Sequence, residues 1–379
     1  MELTPEDTLR LNVLLANKIQ AIRIDESKMR VYGLSEQGEA QVQLHPNCHD
    51  DRYLRKVREL ISGQVLGSPG GYPVYLRRWH RMGQTKGEHL EHLLMLGEPE
   101  AIIAVVNAPG LTPELARRAW WARADADTAR SMLKNPVIVH SALGKQLAAY
   151  LVDYLAFETE VFPLIESVRL VLQADLIDPQ TRKRLWQKGQ TKTAYLVGFL
   201  LTTVDELPEP LPARADAAAL HTALYPLIAE DNQLAQQLLQ VVSSGGQSFI
   251  HTCEQILRQP ATQEVVNLLF DIIAHYFRTI RPPDHAADMT IITLINRAQS
   301  VCTHCEDRYS RQRRQILVQV PQLEEMLSAM FILSGLNYSI LRPIFSRTTA
   351  VGSLMRKKLA PVSEPIMQQF AVLKTAVIE

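Results

Sequence analysis

LTPELARRAWWARADADTARSML, Leu111 to Leu133, is the stretch whose reading decides the fold. Thr112 offers a side-chain oxygen to an orphan amide, and Pro113 lacks the donor that the first helical position would waste, so a helix begins there. Leu115, Ala116, Ala119 and Trp120 then share one helical stripe, with Arg117 and Arg118 on other faces. The result is an amphipathic helix that needs a core to dock on. Sixty-six positions later, IDPQTRKRLWQKGQTKTAYLVGF (Ile177–Phe199) repeats the pattern weakly, with Asp178-Pro179 for Thr112-Pro113, Lys183-Arg184 for Arg117-Arg118 and Trp186 for Trp120. One helical unit is reused.

Working outward, Thr4-Pro5-Glu6-Asp7 opens a first helix in the same way, with Leu11, Leu14, Leu15 and Ile19 on its buried side. Between Ala21 and Leu44 the period changes to two, and AIRID, MRVYGL and EAQVQLH read as a small antiparallel hairpin or meander. Arg52–Ile61 returns to helix. Gly63–Tyr75, GQVLGSPGGYPVY, reads as a shaped loop; as a phosphate cradle it lacks the lysine-serine/threonine end of a P-loop and the strand–turn–helix setting of a dinucleotide fingerprint. From Gly87 to Val204 short helix follows short helix, several opened by proline. The class is therefore mainly α, a HEAT-like or irregular helical repeat array with a small N-terminal β-hairpin or meander.

DELPEPLPARA (Asp205–Ala215) carries Pro208, Pro210 and Pro212, which cannot continue a helix, and reads as a linker. The expected organisation is an N-terminal α/β segment over 1–80, a helical repeat region over 81–204, the proline-rich linker 205–215 and a C-terminal helical domain over 216–379. Pro343, Pro361 and Pro365 are expected to interrupt the end of that domain.

Forty Lys+Arg balance forty Asp+Glu, so no global charge drives the chain onto nucleic acid or an anionic membrane. Locally, nine basic residues face three acidic ones between Asp307 and Lys358. The longest apolar runs fall short of a membrane span, and the start MELTPEDTLR has no basic n-region before an apolar core. Four cysteines in 379 residues make no disulfide framework, so reduced thiols in a cytoplasm are expected.

Cys302-Thr303-His304-Cys305 is the one local motif of metal or redox type. Ile291, Ile295, Ala298, Cys302, Cys305 and Tyr309 recur at spacings of 4, 3, 4, 3 and 4, which favours packing of both thiols in a core; zinc or sulfur chemistry at Cys302, His304 and Cys305 is the alternative, with His45/Cys48/His49 or His251/Cys253 as distant partners. No HExxH, nucleophile elbow or Walker lysine is present, and no catalytic residue or cofactor is expected. Arg308, Arg311, Arg313 and Arg314, and the repeated pairs Arg117/Arg118 and Lys183/Arg184, are candidate surfaces for a protein or RNA partner, although a charge run is most often a solvated helix face.

PEDTLRLNVLLAN (Pro5–Asn17), AIRIDES (Ala21–Ser27), LGSPGGYPVYLRRW (Leu66–Trp79), LGEPEAIIAVVNAPGLTPELARRAWW (Leu96–Trp121) and ESVRLVLQADLID (Glu166–Asp178) resemble the DsrS family, soluble proteins encoded among the reverse dissimilatory sulfite reductase genes of sulfur-oxidising bacteria. The likeness is densest before Val204. It implies a cytoplasmic accessory or regulatory role in the oxidation of stored sulfur, a pathway without a reaction, and it carries over no catalytic motif. The expectation is a non-catalytic scaffold that binds a protein of the sulfite reductase or sulfur-relay system, or RNA.

Overall fold

The computed structural model describes residues 2–67, 90–281, 290–300, 308–346 and 352–378. Contacts divide the chain into two compact units, Met1–Phe157 with Gln173–Ile177, and Glu158–Leu172 with Asp178–Glu379. The protein is mainly α, with one three-stranded antiparallel sheet near its N-terminus.

In the first unit, helix α1 (Pro5–Ala16) starts on Thr4, whose hydroxyl accepts from the Asp7 amide. The meander of β1 (Ala21–Asp25), β2 (Arg30–Ser35) and β3 (Gly38–Gln43) pairs Ile24 with Val31 and Val31 with Val42. Gly38 closes the second hairpin at φ 123, a value that L side chains rarely adopt. Ile22 and Val31 turn inward onto Leu11, Leu14, Tyr53, Val57 and Ile61. Helix α2 (Asp50–Leu66) outruns the expected boundary: Gly63–Leu66, read from sequence as the start of a loop, complete the helix, and Gly67 caps it in the left-handed region. A single helical glycine costs about 1 kcal/mol, less than burial of Val57 and Ile61 on the same helix returns. The rest of the glycine-rich run lies outside the described residues.

Among the described residues six helices follow: α3 (Leu90–Leu94), α4 (Pro99–Val106), α5 (Pro113–Ala122), α6 (Ala126–Met132), α7 (Pro136–Val139) and α8 (Ala142–Tyr154). They pack mainly on helices one or two places along the chain. Thr112 and Asp125 cap α5 and α6 by accepting from the amides of Leu115 (3.2 Å) and Thr128 (2.8 Å). Leu115, Ala116 and Ala119 are buried as their spacing requires, and Trp120 is half-buried.

The second unit opens with α9 (Val161–Val171), α10 (Pro179–Gly189) and α11 (Ala194–Leu200), the last buried along its whole length. Asp178 caps α10 as the sequence echo demands, accepting from the Thr181 amide at 2.8 Å. Next come α12 (Ala217–Ala229), α13 (Gln233–Val242), α14 (Ser244–Arg258) and α15 (Gln263–Tyr276). The segment read as a linker, 205–215, runs inside this unit: Leu207 is buried, the Leu211 amide donates to Ser248 Oγ (2.8 Å) and the Arg214 amide to Val242 O (2.9 Å). Its prolines keep it extended, and side chains and backbone of α13 and α14 take up its polar groups. The units divide at Phe157/Glu158 instead.

The chain ends with α16 (Ile291–Ser300), α17 (Arg308–Gln319), α18 (Glu324–Ser334), α19 (Tyr338–Phe345) and α20 (Gly352–Lys374). Here the prolines act against expectation, for Pro343 sits within α19, and Pro361 and Pro365 sit within the 23 residues of α20. Each removes an amide donor, but the stripe Met355, Leu359, Val362, Ile366, Phe370 and Leu373 is buried, and α20 packs against α14 and α18. Tertiary burial holds the helix through both prolines. No helix among the described residues is long and apolar enough to cross a membrane.

Candidate functional site

The residues singled out from sequence separate into three groups. Arg117 and Arg118 are tied to one carboxylate: Glu114 lies 2.7 Å from Arg117 and 3.0 Å from Arg118, and Glu91 stands 3.8 Å from Arg118. The bond from Arg117, with help from Arg118, holds the Glu114 carboxyl down to about 2. These cations are already neutralised within the first unit. Their sequence equivalents lie in the second unit, where Arg184 donates to Thr181 Oγ1 (2.9 Å) and Lys183 is exposed.

In the basic run, Arg311 and Arg314 are exposed, but Arg313 points inward and is 4 % exposed, beside Ser328 Oγ at 3.5 Å and Glu324 at 3.6 Å. The expected surface residue is thus part of the packing between α17 and α18, because α17 needs an inward residue at the turn between Tyr309 and Ile316. Arg308 opens α17.

Cys302, His304 and Cys305 lie outside the described residues. Of their proposed partners, His45 is engaged by Asp7: its amide donates to Oδ2 at 2.7 Å and its ring Nδ1 lies 3.2 Å from Oδ1. Cys253 is fully buried, and burial pushes its thiol well above the usual range. Among the described residues no cluster of three or more His, Cys, Asp or Glu side chains is placed to hold a metal ion.

Two arrangements emerge that sequence reading did not pick out. The first is an aromatic ladder in the first unit. Trp120 on α5 meets Tyr150 edge-on at 5.0 Å, Tyr150 stacks with Tyr154 one turn along α8 at 6.1 Å, and Tyr154 leads to Phe157 at 6.2 Å. Leu143, Leu147 and Leu151 carry the buried side of α8, which leaves Tyr154 37 % and Phe157 75 % exposed. Carboxylates border the ladder: Asp125 is close enough for its charge to add to the burial that raises the Tyr150 pKa, and Asp153 is exposed beside Tyr154. On the sheet, Trp121 donates to Glu39 (2.9 Å) and Arg23 lies over Tyr32 and Trp121 at 4.6 and 5.0 Å.

The second is a cleft of about 670 Å³ in the second unit, lined from α11 and the turn after it, α13, α15 and the 3-10 turn Arg278–Ile280. Leu200, Leu268 and Ile272 make its apolar wall; Asp205, Asp271, His275 and Tyr276 bring titratable groups. Asp271, His275 and Arg278 are spaced i, i+4 and i+7, the one signal from which part of the site was legible. The remaining polar groups come from segments far apart in the chain.

A mainly α protein of two helical units, with an exposed aromatic ladder on one and a polar-walled cleft in the other, is the class that fold and sites define. No protein-family model, no curated protein and no solved structure matches the chain.

Proposed function

We propose that the chain is a non-catalytic accessory scaffold that captures a protein partner through the Trp120–Tyr150–Tyr154–Phe157 ladder. The resemblance to the DsrS family supports placing that role in the oxidation of stored sulfur, beside the dissimilatory sulfite reductase system. The observation that carries the binding mode is the exposure of Tyr154 and Phe157 at the end of a continuous row of rings. Tyr, Trp and Phe are the side chains that anchor protein interfaces, because they bury large area at small conformational cost.

Protein is favoured over RNA by charge. A stacking surface for nucleic acid needs free cations to neutralise phosphates, and at this ladder Arg123 is paired with Asp125 while Asp153 is exposed beside Tyr154. Arg117 and Arg118 on α5 are spent on Glu114 and Glu91. A native pull-down from a sulfur-oxidising host, split into nuclease-treated and untreated halves, tests the reading. Sulfite reductase or sulfur-relay proteins retained after nuclease support it; recovery of RNA, with proteins lost on nuclease treatment, replaces it with an RNA-binding role.

A further inference from the structure

Helix α10 carries cations without counter-charges. Between Pro179 and Thr193 the chain holds Arg182, Lys183, Arg184, Lys188 and Lys192, and no acidic residue. Two of the five are engaged by backbone: Arg182 donates to Glu206 O (2.6 Å) and Lys192 to Glu158 O (3.5 Å). Lys183, Arg184 and Lys188 are exposed, and among the described residues none of the three meets a carboxylate; Arg184 donates only to Thr181 Oγ1. They stand on the side of α10 away from its buried stripe of Thr181, Leu185, Trp186 and Gly189, with Gln187 exposed between them.

Helix α5 is the comparison that the fold itself provides. There the same helical unit places Glu114 one turn before Arg117 and Arg118, 2.7 and 3.0 Å away, and the three charges satisfy one another. The residue of α10 equivalent to Glu114 is Gln180, so the second copy keeps the two cations and lacks the carboxylate. An uncharged amide cannot neutralise them, and Arg184 and Lys188, spaced i and i+4, repel each other. This side of the helix is therefore complementary to an anion that α10 does not supply.

Carboxylate is favoured over nucleic acid on three grounds. The precedent within the fold is a carboxylate seated on this pair of positions. Single-stranded nucleic acid needs rings to stack on, and the only aromatic residue of α10, Trp186, is 4 % exposed and packed edge-on against Phe199 at 5.2 Å. A duplex is gathered by a net positive field, whereas forty cations here balance forty anions. We infer that α10 receives an acidic segment of a partner protein, whose carboxylates sit on Lys183, Arg184 and Lys188 as Glu114 sits on Arg117 and Arg118. Each such contact is exposed and weak by itself, so the segment engages several cations together. The surface belongs to the second unit, and its assignment does not depend on the aromatic ladder.

Fluorescence anisotropy of the full chain at low salt tests the inference, with a labelled peptide of alternating glutamate and alanine and the glutamine–alanine peptide as its uncharged match. The acidic peptide binds and is released as salt rises, and the neutral peptide does not bind. Lys183→Glu/Arg184→Glu raises Kd by about tenfold or more. Arg117→Gln/Arg118→Gln, which removes cations that are already paired, leaves Kd unchanged. Gln180→Glu supplies the missing counter-charge from within α10 and raises Kd by about threefold or more. That change is exposed and lies in the first helical turn, where a carboxylate is favoured, so it keeps the test decisive if the charge reversal disturbs folding. An acidic peptide that does not bind, a neutral one that binds as tightly, or Lys183→Glu/Arg184→Glu and Gln180→Glu chains that bind like the native one would each overturn the assignment. A uridine oligonucleotide or an RNA duplex that binds more tightly than the acidic peptide, and is lost in the same variants, would overturn it in favour of nucleic acid.

Discussion

Arg214 and Asp216, two residues apart, form a buried ion pair in which Nε lies 2.6 Å from Oδ1 and a second guanidinium nitrogen 3.0 Å from Oδ2. The pair is also the anchor of the chain's end. Arg214 donates onward to Leu373 O at 3.2 Å, and Asp216 Oδ2 accepts from the Val377 amide at 2.8 Å. Residues at the start of the α12–α20 succession thereby fasten its last turn.

Breaking such a pair from one side strands a buried charge. Asp216→Asn is expected to lower the stability of the second unit by about 3–5 kcal/mol. Urea unfolding followed by circular dichroism reads the loss; a change below about 1 kcal/mol would mean that the pair is not buried as described.

Asp216 and Asp7 also set the response to acid. Burial alone would raise each pKa, yet both lie below the ordinary value: at Asp216 the Arg214 guanidinium and the amides of Val377 and Ile378 outweigh burial, and at Asp7 the His45 amide, the Tyr53 hydroxyl and the His45 ring do so. A carboxyl whose folded pKa is depressed contributes stability that is fully present above its unfolded value of about 3.9 and is lost as pH falls through the folded value. Stability is therefore expected to be flat near pH 6 and to fall steeply below about pH 4. Asp7→Asn should be less stable at neutral pH, by about 1–3 kcal/mol, and its stability should fall less on acidification. Parallel slopes for variant and native chain would contradict this.

The first turn of α14, packed against the end of α13, tolerates only hydrogen at Gly246, where a Cβ would stand 2.2 Å from Gln240 O and 2.4 Å from Val241 O. Backbone carbonyls cannot swing aside as a flexible side chain can, so Gly246→Ala should cost several kcal/mol, about 2 or more. Gly63, in the last turn of α2 with no atom within 4 Å of its added Cβ, is the control, and Gly63→Ala should stabilise by about 0.5–1 kcal/mol. Thermal melts of the two variants should move in opposite directions.

The starts of α1, α5 and α10 were legible and the cleft was not, for one physical reason. Thr4, Thr112 and Asp178 cap their helices through amides three residues away, so the whole interaction is written locally. The same holds for the strands, whose period of two survives in Ile22, Val31 and Val42. By contrast Asp205, Gln237 and Asp271 meet only after the chain has folded, and no local spacing joins them. Tyr150 and Tyr154 were visible as an i, i+4 pair, but their link to Trp120 depends on how α5 packs on α8. Pro361 and Pro365 misled because local propensity was overruled by the buried stripe of α20. Arg313 misled in the same way, a cation drawn inward by the face that it occupies.

Thiol labelling separates the cysteines by environment. Cys48 is half-buried on the loop before α2, its Sγ 3.8 Å from His49 O, whereas Cys253 is sealed inside α14. The thiolate is the reactive form, so iodoacetamide should modify Cys48 in the native chain and reach Cys253 only in denaturant. Mass spectrometry of the labelled peptides gives the result; native labelling of Cys253 would show that α14 opens.

The measurement that bears most directly on the partner-binding account is a pull-down from nuclease-treated host lysate with three baits: the native chain, Tyr154→Ser/Phe157→Ser and Arg311→Glu/Arg314→Glu. All four positions are exposed, so each bait should fold as the native chain does. The account predicts that the native chain and the charge-reversed bait recover the same protein partner and that the ladder variant loses it. A ladder variant that still captures the partner, or a charge-reversed bait that does not, would contradict it.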